Sequence, residues 1–384
     1  MAHHSTAFAQ LLKLVPRHQF AELAKKHHRG GPFRKTSRWS QFVALAMGQL
    51  AGRCSLRDVV ANAAAQAKRW YHLGALSLTR STLARVNAEQ PAELYEELFG
   101  DLCRQCQSVA PKHRFRFRHP LYSLDASVID LSLQVFPWAD YNRTKGGVKL
   151  HLGLDHSGYI PAFAVITDAR THEAPVAHRF RFPRGSVLVC DRGYTDYAWY
   201  KSLTEQGLFF ITRQRKNARY TVLERRALQR NRGLTCDQTI RLTGSQLADI
   251  DMPLLRRIGY RDPQTGKHYV FLTNAFHLAA KTIADLYKER WQIELFFKWI
   301  KQNLKIKAFL GTSRNAVMTQ IWIALCVSLM VAYLKFRSRC LHSAQQLLRL
   351  LQLNLFVRRN LYELLCGPPP VPDRTTPNPQ LGLI

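Results

Sequence analysis

The sequence predicts an α/β chain in which a mixed five-stranded sheet with flanking helices is interrupted by a β-rich insertion and preceded by an α-helical region. Helical periodicity dominates up to about residue 115. From Phe115 onward the pattern alternates instead: three successive strand segments, then a strand, a helix and a strand. Helical patterning returns near residue 275 and runs through a long apolar segment.

In the N-terminal region, "WSQFVALAMGQL" (39–50) has helical spacing and leads through "AGRCS" to Ser55, which can cap "LRDVVANAAAQAKRWY". Two helices around a short glycine-containing turn have the form of a helix-turn-helix. A second candidate follows, with Ser81 as a cap and Pro91 where the next helix begins. Charge decides between DNA binding and a merely structural role. The chain carries 56 Lys and Arg against 26 acids, for a net +30 and a pI near 10.3. Such a chain repels itself unless a polyanion is a regular partner. The cations are spread along the whole chain rather than gathered on one amphipathic helix, which favours nucleic acid over an anionic membrane.

Eight cysteines without an N-terminal secretory pattern point to reduced thiols in a cytoplasm. Cys103 and Cys106, with His113 and His119 close behind, lack the spacing of a zinc finger and read as helix residues. The apolar stretch 316–334 approaches membrane-spanning length, yet Thr319, Gln320 and Ser328 within it favour a buried core helix.

The β region begins with "LYSLDASVIDL", which places Asp125 on one face with Ser123 and Ser127. "GGVKLHLGLDHSGYIPAFAVITD" supplies two more strands around a glycine turn, and "SVLVCD" ends at Asp191. "TDYAWYKSLTEQG" is a helix with a glycine stop, and "LFFITRQRKN" another strand. This is the order expected of a ribonuclease-H-like domain. The expected boundaries are a helical DNA-binding domain at 1–115, the core at 116–217, a β-rich insertion at 218–274, the rest of the core at 275–345, and a C-terminal helix with a Pro-rich tail at 346–384.

"LYKERWQIELFFKWIKQNLKIK" (286–307) reads as one long helix. At about 100° per residue, Tyr287, Arg290, Glu294, Lys298, Lys301 and Lys305 fall within an arc of roughly 80°, with apolar residues around the rest. Spacing alone fits a solvated face with a Glu294–Lys298 pair equally well. The remaining acids weigh against that reading. Asp125 lies inside an apolar strand, where an acid is costly unless paired or bound to a metal. In a ribonuclease-H-like sheet the first and fourth strands are adjacent, so Asp125 meets Asp191 and the late helix brings Glu294 across them. Three carboxylates suit Mg²⁺, and two such ions about 3.5–4 Å apart can activate a water or a 3′-hydroxyl.

Tyr287, Arg290, Glu294 and Lys301 match without gaps the signature of the YREK group of DDE transposases, the insertion sequence four family. "DRGY" at Asp191 and "LDAS" at Asp125 resemble that family's two aspartate motifs. The resemblance implies Asp125, Asp191 and Glu294 as catalytic metal ligands for Mg²⁺, two ions, with Mn²⁺ as a substitute. Arg290 and Lys301 would grip phosphates and Tyr287 would place the strand, with Lys298 and Lys305 in the same basic stripe. It also implies cut-and-paste movement of double-stranded DNA through a hairpin, by a homodimer, in the bacterial cytoplasm at the nucleoid. Relatives stack a flipped base on an aromatic in the insertion, often Trp; here the insertion offers Tyr220, Tyr260, Tyr269 and Phe271. The alternatives are a nuclease that cleaves without joining and a DNA-binding repressor that never cleaves.

Overall fold

A computed structural model describes residues 5–142, 145–228, 233–244 and 250–367. The Pro-rich tail expected at the C-terminus lies outside the described residues from 368 onward. The described strands are β1 (Leu121–Leu131), β2 (Asp140–Asn142), β3 (Lys145–Asp155), β4 (Ile160–Asp168), β5 (Val187–Cys190), β6 (Phe209–Arg213), β7 (Arg219–Arg225), β8 (Leu234–Thr243), β9 (Leu255–Arg261) and β10 (His268–Thr273). They form one mixed sheet, with β4 paired to β3 and the order β3-β1-β5-β6-β10-β9-β8-β7 running away from it.

The sheet is antiparallel where strands follow directly, β1 to β3 and β3 to β4. It is parallel where a crossover intervenes, β1 to β5 and β5 to β6. The crossover helix between β5 and β6 spans Tyr197–Glu205; Asp196 caps it, and Gly207 at φ +70° turns the chain out of it. A five-stranded core sheet with a separate β-rich insertion was expected; among the described residues both fall in one sheet of ten strands. The additional length arises mainly because β10 pairs with β6, so β7 to β10 continue the sheet. Neighbour choice of this kind is non-local and leaves no trace in strand periodicity.

Helices α1 to α7 precede the sheet: Ala7–Leu12, Arg17–Lys26, Arg38–Leu50, Leu56–Ala65, Ala67–His72, Arg80–Glu89 and Glu93–Gln107. Ser55 caps α4 as expected, its side chain accepting from the Asp58 N–H at 3.1 Å. The expected helix after Ser55 divides at Gln66 into α4 and α5. The cap of α6 is Thr79 rather than Ser81, accepting from Thr82 N–H at 3.2 Å. Cys103 and Cys106 are buried on α7, where burial pushes both thiols up to about 12.

Beyond the sheet helices lie α8 (Glu173–Ala177) and α9 (Tyr197–Glu205), then α10 (Ala280–Glu289), α11 (Trp291–Asn303), α12 (Arg314–Ser338), α13 (Ala344–Asn354) and α14 (Leu361–Cys366). The apolar segment 316–334 lies within α12, which is long and apolar enough to cross a membrane but is 83% buried over its most apolar window. It packs against α3, α6, α7, β4 and α13. One hydrophobic cluster runs from Phe8 and Phe42 in the N-terminal helices through Ile323 and Val327 of α12 to Leu152 on β3 and Phe297 on α11. That continuity ties the site helix to the first helices of the chain.

Candidate active site

The register of the sheet brings the two aspartates level. On the parallel β1–β5 pair, Leu124 is partnered by Cys190, so the next residue of each strand is Asp125 and Asp191. Asp125 remains within β1, opposite Leu152 of β3, whereas Asp191 follows the last residue of β5 and caps the 3₁₀ turn Arg192–Tyr194 by accepting from the Arg192 N–H. Short apolar β5, "VLVC", is fully buried, which fixes where its exit leaves Asp191.

Glu294 comes from the first turn of α11, where the helix dipole favours a negative charge. Its partner is Arg290, whose guanidinium donates to Glu294 Oε1 and, at 3.0 Å, to Asp125 Oδ2. Arg290 is only 13% exposed, against 22% for Asp125 and 32% for Glu294. Burial pushes the Asp125 carboxyl up to about 6 against the pull of Arg290, and the charges of Glu294 and Asp191 add to the rise. Arg290 links Asp125 to Glu294, and the β1–β5 register sets Asp191 level with Asp125.

Lys301, two turns along α11, donates at 2.7 Å both to Ser127 Oγ and to the Val128 carbonyl of β1. Arg290 and Lys301 therefore clamp α11 across β1 at two points. Tyr287 packs on Phe271 with centroids 4.8 Å apart, and Arg290 lies 5.9 Å from the Tyr287 ring centre. Burial pushes the Tyr287 hydroxyl up to about 12, so it stays protonated and can donate.

Two expectations for this segment need correction, and its burial is partial. The stretch 286–307 is not one helix: α10 ends at Glu289 and α11 starts at Trp291, with Arg290 at the junction bonding back to Tyr287 O at 3.2 Å. Lys305 is not on the stripe. Helix α11 stops at Asn303, and Leu304 turns extended (φ −107°, ψ 154°) so that Leu304 and Ile306 enter the core. The Lys305 backbone is then held by Gln49 and Gln320, away from the helix face. Nor does α11 bury all its apolar residues: Ile293, Phe297 and Ile300 are inside, but Trp291 is 57% and Leu295 42% exposed. Lys298 is exposed on the same helix.

Residues named in the sequence and others that were not complete the surroundings. A cavity of about 220 Å³ is lined by Tyr260, Tyr269, Phe271 and Tyr287, which the sequence offered, and by Trp291, Arg213 and Lys288, which it did not, together with Arg290 and Asp262. Tyr220 lies elsewhere, under Arg257, whose guanidinium is 5.0 Å from its ring. Trp291 adjoins the signature arginine, and adjacency was the available signal. Glu289, only 6% exposed, accepts from Tyr159 OH at 2.9 Å and pairs with Arg114, an anchor with no sequence signature. Glu173 pairs with Lys149 at 3.1 Å near the 3₁₀ turn, and His151 and His156 are buried.

Among the described residues no three of His, Cys, Asp and Glu are grouped closely enough as they stand to hold a metal ion. Arg290 occupies the space between Asp125 and Glu294, doing for both what a cation would do. The donor set itself fits a hard divalent cation, since all three side chains offer carboxylate oxygens.

Residues 116–330 match the family model described as Transposase DDE domain, and residues 3–76 match a domain of unknown function. A protein of Sinorhizobium fredii described as a transposase is 33% identical over 79% of this chain and 84% of its own. A transposase for an insertion sequence element of Geobacillus stearothermophilus is 29% identical over 66% of this chain and 67% of its own. A piggyBac transposase synaptic complex with hairpin DNA, solved by cryo-EM, aligns with a TM-score of 0.41 and 13% identity, covering 95% of this chain and 85% of that one. The family match spans the strands and helices that carry Asp125, Asp191 and Glu294, and the chain belongs to the DDE transposase family.

Proposed function

We propose that this chain is a YREK-group transposase of the insertion sequence four type, with a ribonuclease-H-like core and a β-rich insertion at 218–274, that moves its element by cut and paste. The observation that carries the reading is the pair of clamps from α11 to β1: Arg290 joins Asp125 to Glu294, and Lys301 holds Ser127 and Val128. Two signature residues thereby bond to β1, Arg290 at Asp125 and Lys301 at Ser127 and Val128, and Asp191 follows β5 level with Asp125.

Asp125, Asp191 and Glu294 hold Mg²⁺, two ions, with Mn²⁺ as a substitute. A divalent cation held there would supply Lewis-acid activation of the attacking water or 3′-hydroxyl and stabilisation of the leaving oxygen. The remaining work belongs to the chain. Arg290 and Lys301 are cations beside the carboxylates, placed to take the phosphates flanking the scissile bond, and Arg290 presents the planar fork suited to a phosphate. Lys298, exposed one turn along, extends the phosphate track. Tyr287, held protonated by burial, donates to the strand that Arg290 grips. The aromatic cavity at Tyr260, Tyr269 and Trp291 offers π faces for a base turned out as the hairpin forms. Residues 1–115 bind the element ends, and a homodimer holds two of them on double-stranded DNA in the bacterial cytoplasm.

The test is a labelled duplex carrying the native element end, incubated with protein and Mg²⁺ and resolved on a denaturing gel. We expect a nick at the element boundary and then a hairpin, both lost in Glu294→Gln, Asp125→Asn and Asp191→Asn by at least about 10³-fold. Cleavage undiminished in all three variants would overturn the assignment. A nick that never proceeds to a hairpin or joined product would favour the nuclease reading.

A further inference from the structure

Away from the carboxylates, the N-terminal helices carry a second basic feature. The segment joining α2 to α3 reads "HRGGPFRKTS", and its exposed Arg29, Arg34 and Lys35 line a cleft of about 420 Å³ against Thr82, Arg85 and Glu89 of α6. Arg85 and Glu89 satisfy each other at 3.1 Å, and among the described residues Arg29, Arg34 and Lys35 have no acidic partner. Three unneutralised cations converging on one concave surface repel each other, a cost that an anion removes.

The loop is built to hold its shape. The Gln90 side chain, at the end of α6, accepts from the Arg29 N–H at 3.2 Å and donates to the Arg29 carbonyl at 2.6 Å. Buried Arg38 donates at 3.3 Å to the same Gln90 oxygen and at 2.7 Å to the Pro91 carbonyl, so the end of α6 and the start of α3 share one network. His28 is 3.0 Å from the Gly31 carbonyl and packs edge-on against Phe33. Gly30 sits at φ +84°, a turn conformation glycine adopts freely, and a Cβ at Gly30 or Gly31 would meet nothing within 4 Å. The backbone there is open to close approach. Thr36, 6% exposed, also lines the cleft, and its hydroxyl has no hydrogen-bond partner.

We propose that loop 29–35 and helix α6 form a binding cleft for the phosphodiester backbone of duplex DNA, separate from the carboxylate site. The chemistry is that of positioning contacts: Arg and Lys charge, open backbone and one hydroxyl, with little to read a base edge. The cleft assigns a role to the part of the chain that matches a domain of unknown function. It rests on the DNA-cutting reading above.

The test uses the full chain without divalent metal, so that nothing is cut. Fluorescence anisotropy measures affinity for a duplex bearing an element end and for a scrambled duplex of equal length, across a salt series. For the triple variant Arg29→Gln, Arg34→Gln, Lys35→Gln we expect the slope of log K against log salt to fall by about 2–3, and affinity for both duplexes to fall by a similar factor. A control triple of exposed cations outside the cleft, Arg337→Gln, Arg349→Gln and Arg359→Gln, keeps the wild-type slope, as does the charge-preserving Arg29→Lys, Arg34→Lys. Equal thermal melts show that the variants fold. Wild-type binding with an unchanged slope in the loop variant overturns the cleft and leaves the transposase reading standing, as does an equal fall in the control triple. Absence of salt-dependent binding by the wild type overturns both.

Discussion

Removing the Arg290 guanidinium would leave Asp125 and Glu294 facing each other across the space it now fills, at side-chain exposures of 22% and 32%. Water can replace the lost donor only in part. Arg290→Gln should therefore lower stability by about 2–3 kcal/mol in metal-free buffer, less than the loss of one partner of a fully buried pair because both acids are partly exposed. Mg²⁺ should return more stability to the variant than to the wild type, because the ion then meets carboxylates with no resident cation to displace. Melts with and without Mg²⁺ check this; equal Mg²⁺ gains in both proteins would count against it. The signature spacing singled out Arg290 and Lys301 as phosphate-gripping cations, but the ion pair of Arg290 with Asp125 and the bonds of Lys301 to β1 were not legible in it. Nor was the position of Lys305: "QNLKIK" contains no glycine or proline stop, and the helix ends there because Leu304 and Ile306 are drawn into the core.

Strand β3, the antiparallel partner of β1, carries one buried histidine and is followed directly by another. His151 on β3 is 3.0 Å from Thr167 Oγ1 of β4, and His156, just past β3, is 2.7 Å from Ser123 Oγ of β1. Burial first, then nearby cations (Lys149 and Arg179 for His151, His113 and Arg114 for His156), lowers them to about 4 and about 3 from 6.5. Glu173 opposes the shift at His151. The unfolded chain thus takes up these protons before the folded one. Their stabilising contribution is complete above about pH 6.5 and is lost as pH falls toward 4, at up to about 1.4 kcal/mol per pH unit for each. His156→Asn, which keeps a polar group near Ser123, should flatten the fall in stability between pH 6.5 and 5 by about that amount. Denaturant titrations at the two pH values measure it, and parallel curves would refute the burial account. At this scale, strand patterning made the β1, β3, β4 and β6 segments legible, and the apolar run "SVLVCD" pointed to β5 as a buried strand followed by an acid. The division at Arg290 was illegible because helical periodicity continues through it; a tertiary ion pair to β1 sets the junction.

For the molecule as a whole, one hydrophobic cluster joins the first helices, α12, the β3 side of the sheet and α11. The carboxylate site is thus carried by the same packed body as the N-terminal helices, and a basic cleft in those helices can hold DNA relative to it without a flexible joint. The order of strands was readable in advance, whereas the extension to ten was not, since β10 finds β6 across more than fifty residues of chain. The central claim is that β1, β5 and α11 bring Asp125, Asp191 and Glu294 into one metal-binding centre. The most direct measurement replaces Mg²⁺ with Fe²⁺ in the full chain and adds ascorbate and peroxide, so that hydroxyl radicals cut the polypeptide beside the bound ion. The account predicts fragments ending near residues 125, 191 and 294 together, competed away by Mg²⁺ and absent in Asp125→Asn. Cuts at only one of the three segments, or a pattern unchanged in Asp125→Asn, would contradict it.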